Sequence, residues 1–385
     1  DGSTDVAPPL TINATNYPAL TGTVLYTTIG GVGSGGSDQY IVLTTTGLYA
    51  WSYRSATAGI KGVLSSSLTT SATFQKIATP TGGDTTTKLP TGVAPEQVTM
   101  LVASYGTLML VANGNVWILT QASANVQGDG TALSASTWHK VKINSTTDLT
   151  NVIAVRGQVS SATLNAIMAL TSDGNVYTWG TSTYLGDGLA STSKNYATLM
   201  TLPSEFNTTT NKPKMIGVTG GIKNTNTTKN TLFILSPSGK LYSLGDNTKK
   251  QCGDFTQTER LSWVNVKSDA STIFTNINFI SCQEHTAGMP GVAAITTNSI
   301  LYSWGENDGL MLGQITTGGL YDPTVPQGFT VGTDKAIFTE LGGHTLVYVK
   351  EGSTKFCYVG HRINGSMGES TTTSGNVVAF DCNNT

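Results

Sequence analysis

Four cysteines and four histidines are the residues of this 385-residue chain best suited to metal or nucleophile chemistry. Their spacing argues against both. Cys252, Cys282, Cys357 and Cys382 form no Cys-x-x-Cys pair, and His139, His285, His344 and His361 form no His-Glu-x-x-His set, so neither zinc spacing is present. Gln127-Gly-Asp-Gly130 and Leu185-Gly-Asp-Gly188 have the look of calcium loops. Each carries one carboxylate where calcium needs several, so they are expected to be turns. The run Gly30-Gly-Val-Gly-Ser-Gly-Gly36 precedes neither a helix nor a lysine, so it is read as a loop and not a phosphate cradle. No Gly-x-Ser-x-Gly elbow occurs. Paired carboxylates could still work as a glycosidase acid and base. Asp173, Glu284, Glu306 and Glu340 are the candidates, and scattered as they are they read as turn and surface residues. No catalytic, cofactor-binding or metal-binding residue is assigned, and no cofactor is expected.

The elements that would position any site come from internal repetition, the first feature to seek in a chain of this length. An apolar run, a turn and an apolar-aromatic run recur at 41–52, 108–119, 167–180, 232–245, 292–305 and 346–360. In Ile167-Met-Ala-Leu-Thr-Ser-Asp-Gly-Asn-Val-Tyr-Thr-Trp-Gly180, Asp-Gly supplies the positive φ that a tight hairpin demands. The first run is apolar throughout, as for a strand buried on both faces, and the second alternates. Another β-prone run precedes each hairpin, at 24–29, 98–103, 151–155, 215–218, 277–281 and 336–340. Short runs such as 74–77, 138–143, 263–266 and 377–380 follow. Four strands in each of six repeats averaging about 61 residues is the pattern of a β-propeller. The fold class is all-β: residues 24–385 form the propeller, and residues 1–23 form an N-terminal arm or closing strand. His285 and His344 occupy equivalent repeat positions and are expected to bond neighbouring loops.

Composition agrees. Charged residues make up 11% of the chain, and Thr, β-branched and poor in helices, is very abundant. With 21 Lys+Arg against 23 Asp+Glu the net charge is −2, which offers no basic surface for phosphate backbones, so no nucleic acid partner is expected. No apolar stretch is long enough to span a membrane as a helix.

The repeat resembles that of the regulator of chromosome condensation family, most clearly in Leu170-Thr-Ser-Asp-Gly-Asn-Val-Tyr-Thr-Trp-Gly180 followed by Tyr184-Leu-Gly-Asp-Gly188. Leu301-Tyr-Ser-Trp-Gly-Glu-Asn307 with Leu312-Gly313, and Leu241-Tyr-Ser-Leu-Gly-Asp-Asn247 with Gln251-Cys-Gly253, are further copies. The resemblance covers roughly residues 24–382 and is faint in the first, second and sixth copies. It implies the fold and no particular partner. Members of that family usually have seven blades with shorter repeats; six are counted here, and a seventh would need more sequence than residues 1–23 supply.

The repeat phase suggests two disulfides. Cys357 and Cys382 fall on adjacent strands, and Cys252 and Cys282 would join neighbouring blades. Disulfides suit an oxidising compartment. Sequons at Asn13, Asn144, Asn207, Asn226, Asn364 and Asn383 and a charge-poor Thr/Ser/Asn/Gly surface point the same way, as does a start without Met that looks like a processed product. The expectation is an extracellular or cell-surface glycoprotein that binds or assembles without catalysis. Its partners are expected to be proteins or glycans, met through long loops at 53–73, 181–199, 219–230 and 308–324. Tyr53, Tyr184, Trp263 and Tyr321 are the candidate binding surface. The arm, with its β-prone run Leu10–Tyr17, either closes its own ring, the preferred reading, or donates a strand to a neighbour in a surface fibre or layer. The alternatives are a secreted glycan-active enzyme with its site at the channel, and an inhibitor or receptor-binding propeller.

Overall fold

A computed structural model describes residues 11–30, 39–52, 74–159, 164–207, 209–223, 226–284, 289–342, 344–362 and 375–382. Each repeat folds into one antiparallel four-stranded sheet with its strands in sequence order. The first blade comprises β1 (Val24–Gly30), β2 (Gln39–Thr44), β3 (Gly47–Ser52) and β4 (Gln75–Lys76). The second comprises β5 (Val98–Ser104), β6 (Thr107–Ala112), β7 (Asn115–Thr120) and β8 (His139–Lys140). The third holds β9 (Val152–Val159), β10 (Asn165–Thr171), β11 (Val176–Thr183) and β12 (Thr192–Leu199). In the fourth are β13 (Met215–Lys223), β14 (Asn226–Leu235), β15 (Leu241–Gly245) and β16 (Arg260–Asn265). The fifth has β17 (Ile277–Cys282), β18 (Gly291–Thr296), β19 (Leu301–Asn307) and β20 (Gly319–Thr324), and the sixth β21 (Ala336–Gly342), β22 (Thr345–Lys350), β23 (Phe356–Arg362) and β24 (Gly375–Asp381). The first strands of successive blades pack side by side around the centre. The molecule is therefore a six-bladed β-propeller.

Three segments expected to be loops contain strand. Residues 181–199 supply β12, 308–324 supply β20, and β13 and β14 extend into 219–230. Their Thr/Ser-rich composition is that of polar edge strands, for which β-branched Thr is well suited. The Gly30–Gly36 loop beyond Gly30, the 53–73 segment and Tyr53 lie outside the described residues. The arm residues 11–23 form turns and no strand.

Each second strand is apolar because it serves two interfaces. In β10, Ala166, Met168 and Leu170 pack toward the fourth blade while Ile167 and Ala169 pack toward the second. In β18, Val292 and Ala294 face the fourth blade, Ala293 and Ile295 the sixth. Each fully buried aliphatic side chain is worth about 1.5–3 kcal/mol, so these interfaces dominate the stability of the ring.

The third strands add polar ties. The hydroxyls of Thr178, Ser243 and Ser303 donate to the carbonyls of Leu185, Cys252 and Leu312 at 2.8, 2.8 and 2.6 Å, each within its own blade. The indoles reach across. Trp179 Nε1 donates to Val126 O at 3.1 Å, and Trp304 Nε1 to Gln251 O at 2.9 Å. Gly128 (φ 71°) and Gly253 (φ 66°) lie under those rings, where an added Cβ would stand 2.9 and 2.8 Å from Nε1. The turns at Gly128 and Gly253 thus seat the next blade's tryptophan, whereas Gly186 in the string at 185–188 packs against Met200.

This arrangement also accounts for the cysteines. Cys357 and Cys382 are joined by a disulfide between β23 and the end of β24. Cys252 and Cys282 are free and buried, which corrects the second expected disulfide. Cys252 takes the place that Leu185 and Leu312 hold in the equivalent turns, its amide bonded to Asn247 Oδ1 at 2.9 Å. Cys282 lies on the innermost strand of the next blade, so the two thiols sit at different depths of the sheets.

Trp304→Phe leaves Gln251 O without its donor and is expected to cost about 1–3 kcal/mol. Gly253→Ala, strained at positive φ and crowded by the indole, should cost at least as much. Urea unfolding monitored by far-UV circular dichroism measures both. A second prediction concerns Asp129, whose carboxylate lies 2.7 Å from His139 Nδ1. Burial works against its ionisation, but hydrogen bonds from Thr131 and His139 outweigh it and hold the carboxyl below its ordinary value. The stabilisation is therefore complete above the unfolded carboxyl pKa of about 3.9 and is lost as pH falls through the lower folded value. Asp129→Asn should destabilise by about 1–2 kcal/mol at neutral pH. The gap to wild type should close as pH falls through the lowered folded-state value, in the same unfolding series.

Candidate functional site: the central cavity and the open seam

A cavity of about 890 Å³ occupies the centre of the ring, with wall residues from all six blades and Ile12 of the arm. Beside it, the inner-strand ends of blades two to five are tied together. Ser104 Oγ donates to Glu284 O at 2.8 Å and accepts from Val159 N at 3.0 Å. Thr219 Oγ1 donates to Gln283 O at 2.9 Å. Arg156 Nε lies 3.8 Å from Oε1 of the buried Glu284, a charge pair from blades three and five.

Blades six and one are different. Pairing with the second strands places Ile29, Ala103, Cys282 and Leu341 at one equivalent position, opposite Tyr40, Leu108, Val292 and Leu346. Ala103, Cys282 and Leu341 are buried there, whereas Ile29 is 44% exposed. At two seams the residue before this position caps the amide of the next blade. Thr28 Oγ1 accepts from Ala103 N, and Ser281 Oγ from Leu341 N, both at 3.0 Å. Glu340 holds the matching position on blade six. Its side chain is exposed and lines the cavity.

The cores tell the same story. Five apolar clusters join consecutive blades from the first to the sixth. Among the described residues the remaining cluster joins the far face of blade one (Val42, Tyr49) to Leu20, Ile12 and Tyr17 of the arm. Tyr17 meets Phe74 edge-on at 5.2 Å. On β22, Leu346 and Tyr348 are buried against blade five while Val347 and Val349 on the other face are half-buried. Phe338, on that same face, is 43% exposed. The opening is confined to the inner half of the seam, since Tyr358 farther out is buried.

Of the four candidate carboxylates, Glu284 and Glu340 reach the cavity. Asp173 accepts from Asn151 Nδ2 at 3.1 Å in a hairpin turn, and Glu306 pairs with Lys249 at 3.1 Å. Cys282 also lines the cavity. Burial first, then the neighbouring Glu284, pushes its thiol well above its ordinary value, so it stays protonated and unreactive at neutral pH. His344 and His361 line the blade-six side with ring centroids 5.7 Å apart, and His361 Nδ1 lies 2.8 Å from Asn376 Oδ1. His285 lies outside the described residues. Among the described residues no group of three or more His, Cys, Asp or Glu could hold a metal ion, and no helix is long and apolar enough to cross a membrane.

The predicted aromatic surface does not assemble. Tyr184 is fully buried, with Lys229 Nζ 5.6 Å from its ring centroid. It lies in loop sequence, but its ring fills the core between blades three and four. Trp263 Nε1 donates to Thr201 O at 3.0 Å across the same pair of blades, and the Tyr321 hydroxyl accepts from Thr316 N at 3.3 Å. Of the sequons, Asn144 is exposed, its Oδ1 accepting from the amides of Thr146 and Thr147. Asn13 lies in the arm and accepts from Asn16 N. Asn207 ends a 3₁₀ turn and Asn226 begins β14. Asn364 and Asn383 lie outside the described residues.

Sequence reasoning passed over Arg156, Thr28, Ile29 and Phe279, all of which line the cavity. Arg156 carried a signal, being a lone cation in the otherwise uncharged run Val152–Val159. Ile29 carried none, because an exposed seam residue reads like any core isoleucine.

No protein-family model matches the sequence, and no curated protein matches it. Solved structures do match in fold. Yeast RCC1 (Prp20), solved bound to Kap60, superposes with a TM-score of 0.60 at 15% identity, covering 92% of this chain and 74% of that one. Human WBSCR16 gives a TM-score of 0.61 at 13% identity, covering 94% and 82%. Prp20p from Saccharomyces cerevisiae, described with its binding properties to Gsp1p and histones, gives 0.61 at 15%, covering 93% and 76%. Identity this low speaks for architecture alone, and the chain therefore has the fold of RCC1-type β-propellers on a sequence far removed from theirs.

Proposed function

We propose that this protein is a non-catalytic binding and assembly module that works outside the cell through its central cavity. The observation that carries the reading is the cavity itself. It is wide and walled by Ile, Leu, Val and Thr side chains with a few charged groups. Preformed cavities of several hundred Å³ with sparse, placed polar groups are binding sites by default. A glycosidase would need two carboxylates free to exchange protons and nucleophilic roles. Here Glu284 faces a guanidinium, and its backbone anchors Ser104. Proteins of this fold engage other proteins, as Prp20 does with Kap60, which supports a protein partner.

The Cys357–Cys382 disulfide and the low charge of the surface support an extracellular setting. The packing of Tyr17 and Leu20 on the chain's own first blade supports an arm that completes its own ring over one donated to a fibre neighbour. Exposed Asn144 would carry glycan in that compartment.

Two measurements test this. Alkylation of the denatured protein followed by intact mass should find two reactive thiols before reduction and four after it; four before reduction would remove the disulfide and the oxidising compartment. Secreted from its source cells with a photo-crosslinking residue at Ile29, the protein should form a covalent adduct with a protein partner. The same residue at exposed Ala270 should form none. Equal or absent adducts at both positions would end the cavity reading.

A further inference from the structure

We infer that the seam between blades two and three holds a sequestered water molecule on the Asn165 carboxamide, next to a row of buried hydroxyls. The inference is independent of the cavity reading. Asn165 is fully buried, and neither its Oδ1 nor its Nδ2 has a protein partner. A buried carboxamide unbonded at both ends is strongly disfavoured, and the large majority of buried side-chain polar atoms in folded proteins are matched by protein or by ordered water. Strand alternation fixes where the amide points. Ile167 and Ala169, on the same face of β10, pack toward blade two, so Asn165 faces blade two as well.

Blade four shows what this position does when the protein supplies the partners. Pairing sets Gln158, Ala166 and Gly180 in one cross-strand row of blade three, and Ser104, Thr107 and Thr120 in the same row of blade two. Asn165 and Asn230 each stand one residue ahead of the row's second-strand residue, Ala166 and Thr231. Asn230 is satisfied across its seam. Its Oδ1 accepts from Thr183 Oγ1 at 2.8 Å, and its Nδ2 donates to Gln158 Oε1 at 3.0 Å. The counterparts on the Asn165 side are shorter and engaged elsewhere. Where Gln158 carries a carboxamide, Ser104 ends in a hydroxyl, which donates to Glu284 O at 2.8 Å and accepts from Val159 N at 3.0 Å. Ser123, as far past Thr120 as Thr183 is past Gly180, bonds Thr181 Oγ1 at 3.2 Å. Thr107 and Thr120 bond each other at 2.6 Å. Ser104, Thr107 and Thr120 are fully buried, and each hydroxyl oxygen has two acceptor lone pairs. The partner of Asn165 must therefore be small enough to be enclosed, able to donate and accept at once, and neutral, since an unpaired charge would be costly there. Water meets all three requirements, and a polar wall offering about two to four partners is the setting in which buried water is held.

A crystal structure of the full chain, at a resolution that shows ordered solvent, tests this directly. A water should lie about 2.7–3.2 Å from a side-chain atom of Asn165 and hydrogen-bond to at least one hydroxyl of the Ser104, Thr107 and Thr120 row. Magnetic relaxation dispersion of the water oxygen gives a second measurement, because a water enclosed in the seam exchanges slowly with bulk. Asn165→Leu, close to asparagine in shape, should lower the dispersion amplitude by the share of at least one water while the far-UV circular dichroism spectrum stays unchanged. The proposal falls if the crystal shows the carboxamide bonded only to protein groups, or with no solvent against it. It falls equally if a folded Asn165→Leu protein keeps the full amplitude. Should Asn165→Leu fail to fold, the crystal structure decides alone.

Discussion

A blade with two apolar faces cannot end. Every second strand from β6 to β18 buries residues on both sides, and each such face needs a neighbour. Water exposure of one face would cost several buried aliphatic side chains at about 1.5–3 kcal/mol each. This constraint gives the ring its form and explains the sequence between hairpins. The turns bearing Gly128 and Gly253 exist to bring a backbone carbonyl under the next blade's indole. Asn247 fixes the Gly253 turn and Asn307 the equivalent turn at Gly313, their Oδ1 atoms accepting from the amides of Cys252 and Leu312. The apolar interface supplies the energy, and the polar ties set the register in which it forms.

Much of that was legible from residues alone, because the hairpin is a local event. Asp173-Gly174 between two β-prone runs specifies a turn without reference to the rest of the chain. The equivalent strings at Asn113-Gly114 and Ser238-Gly239 specify theirs, and all three glycines have positive φ. What failed was whatever depends on radius or on the far side of a sheet. Cys252 and Cys282 fall in neighbouring blades, but one fills a turn's leucine position and the other an inner strand. Tyr184 sits in loop sequence, yet its ring packs inward. β12 and β20 were hidden because an outer strand needs only one apolar face, and Thr supplies β propensity while reading as polar.

The two terminal blades show how the end problem is met. All four strands of blade one come from the start of the propeller sequence and all four of blade six from its end, so no sheet shares strands between them. Blade one instead covers its outer face with Leu20, Tyr17 and Ile12, and ties the Tyr49 hydroxyl to those of Thr21 and Thr46. The cover acts on the arm side and leaves the inner half of blade six less well buried. Its β22 keeps the alternation of a strand with one solvated face, unlike β6, β10 and β18.

That asymmetry is where function has room to enter. Five seams are closed by clusters whose residues have no freedom to contact anything else. A ligand that opened one would have to replace a core of a dozen side chains, which no ordinary binding energy offsets. At the sixth, Ile29, Phe338 and Glu340 are already partly in water, and the cavity reaches Ile29 and Glu340. Occupying this seam therefore gains apolar contact without breaking any.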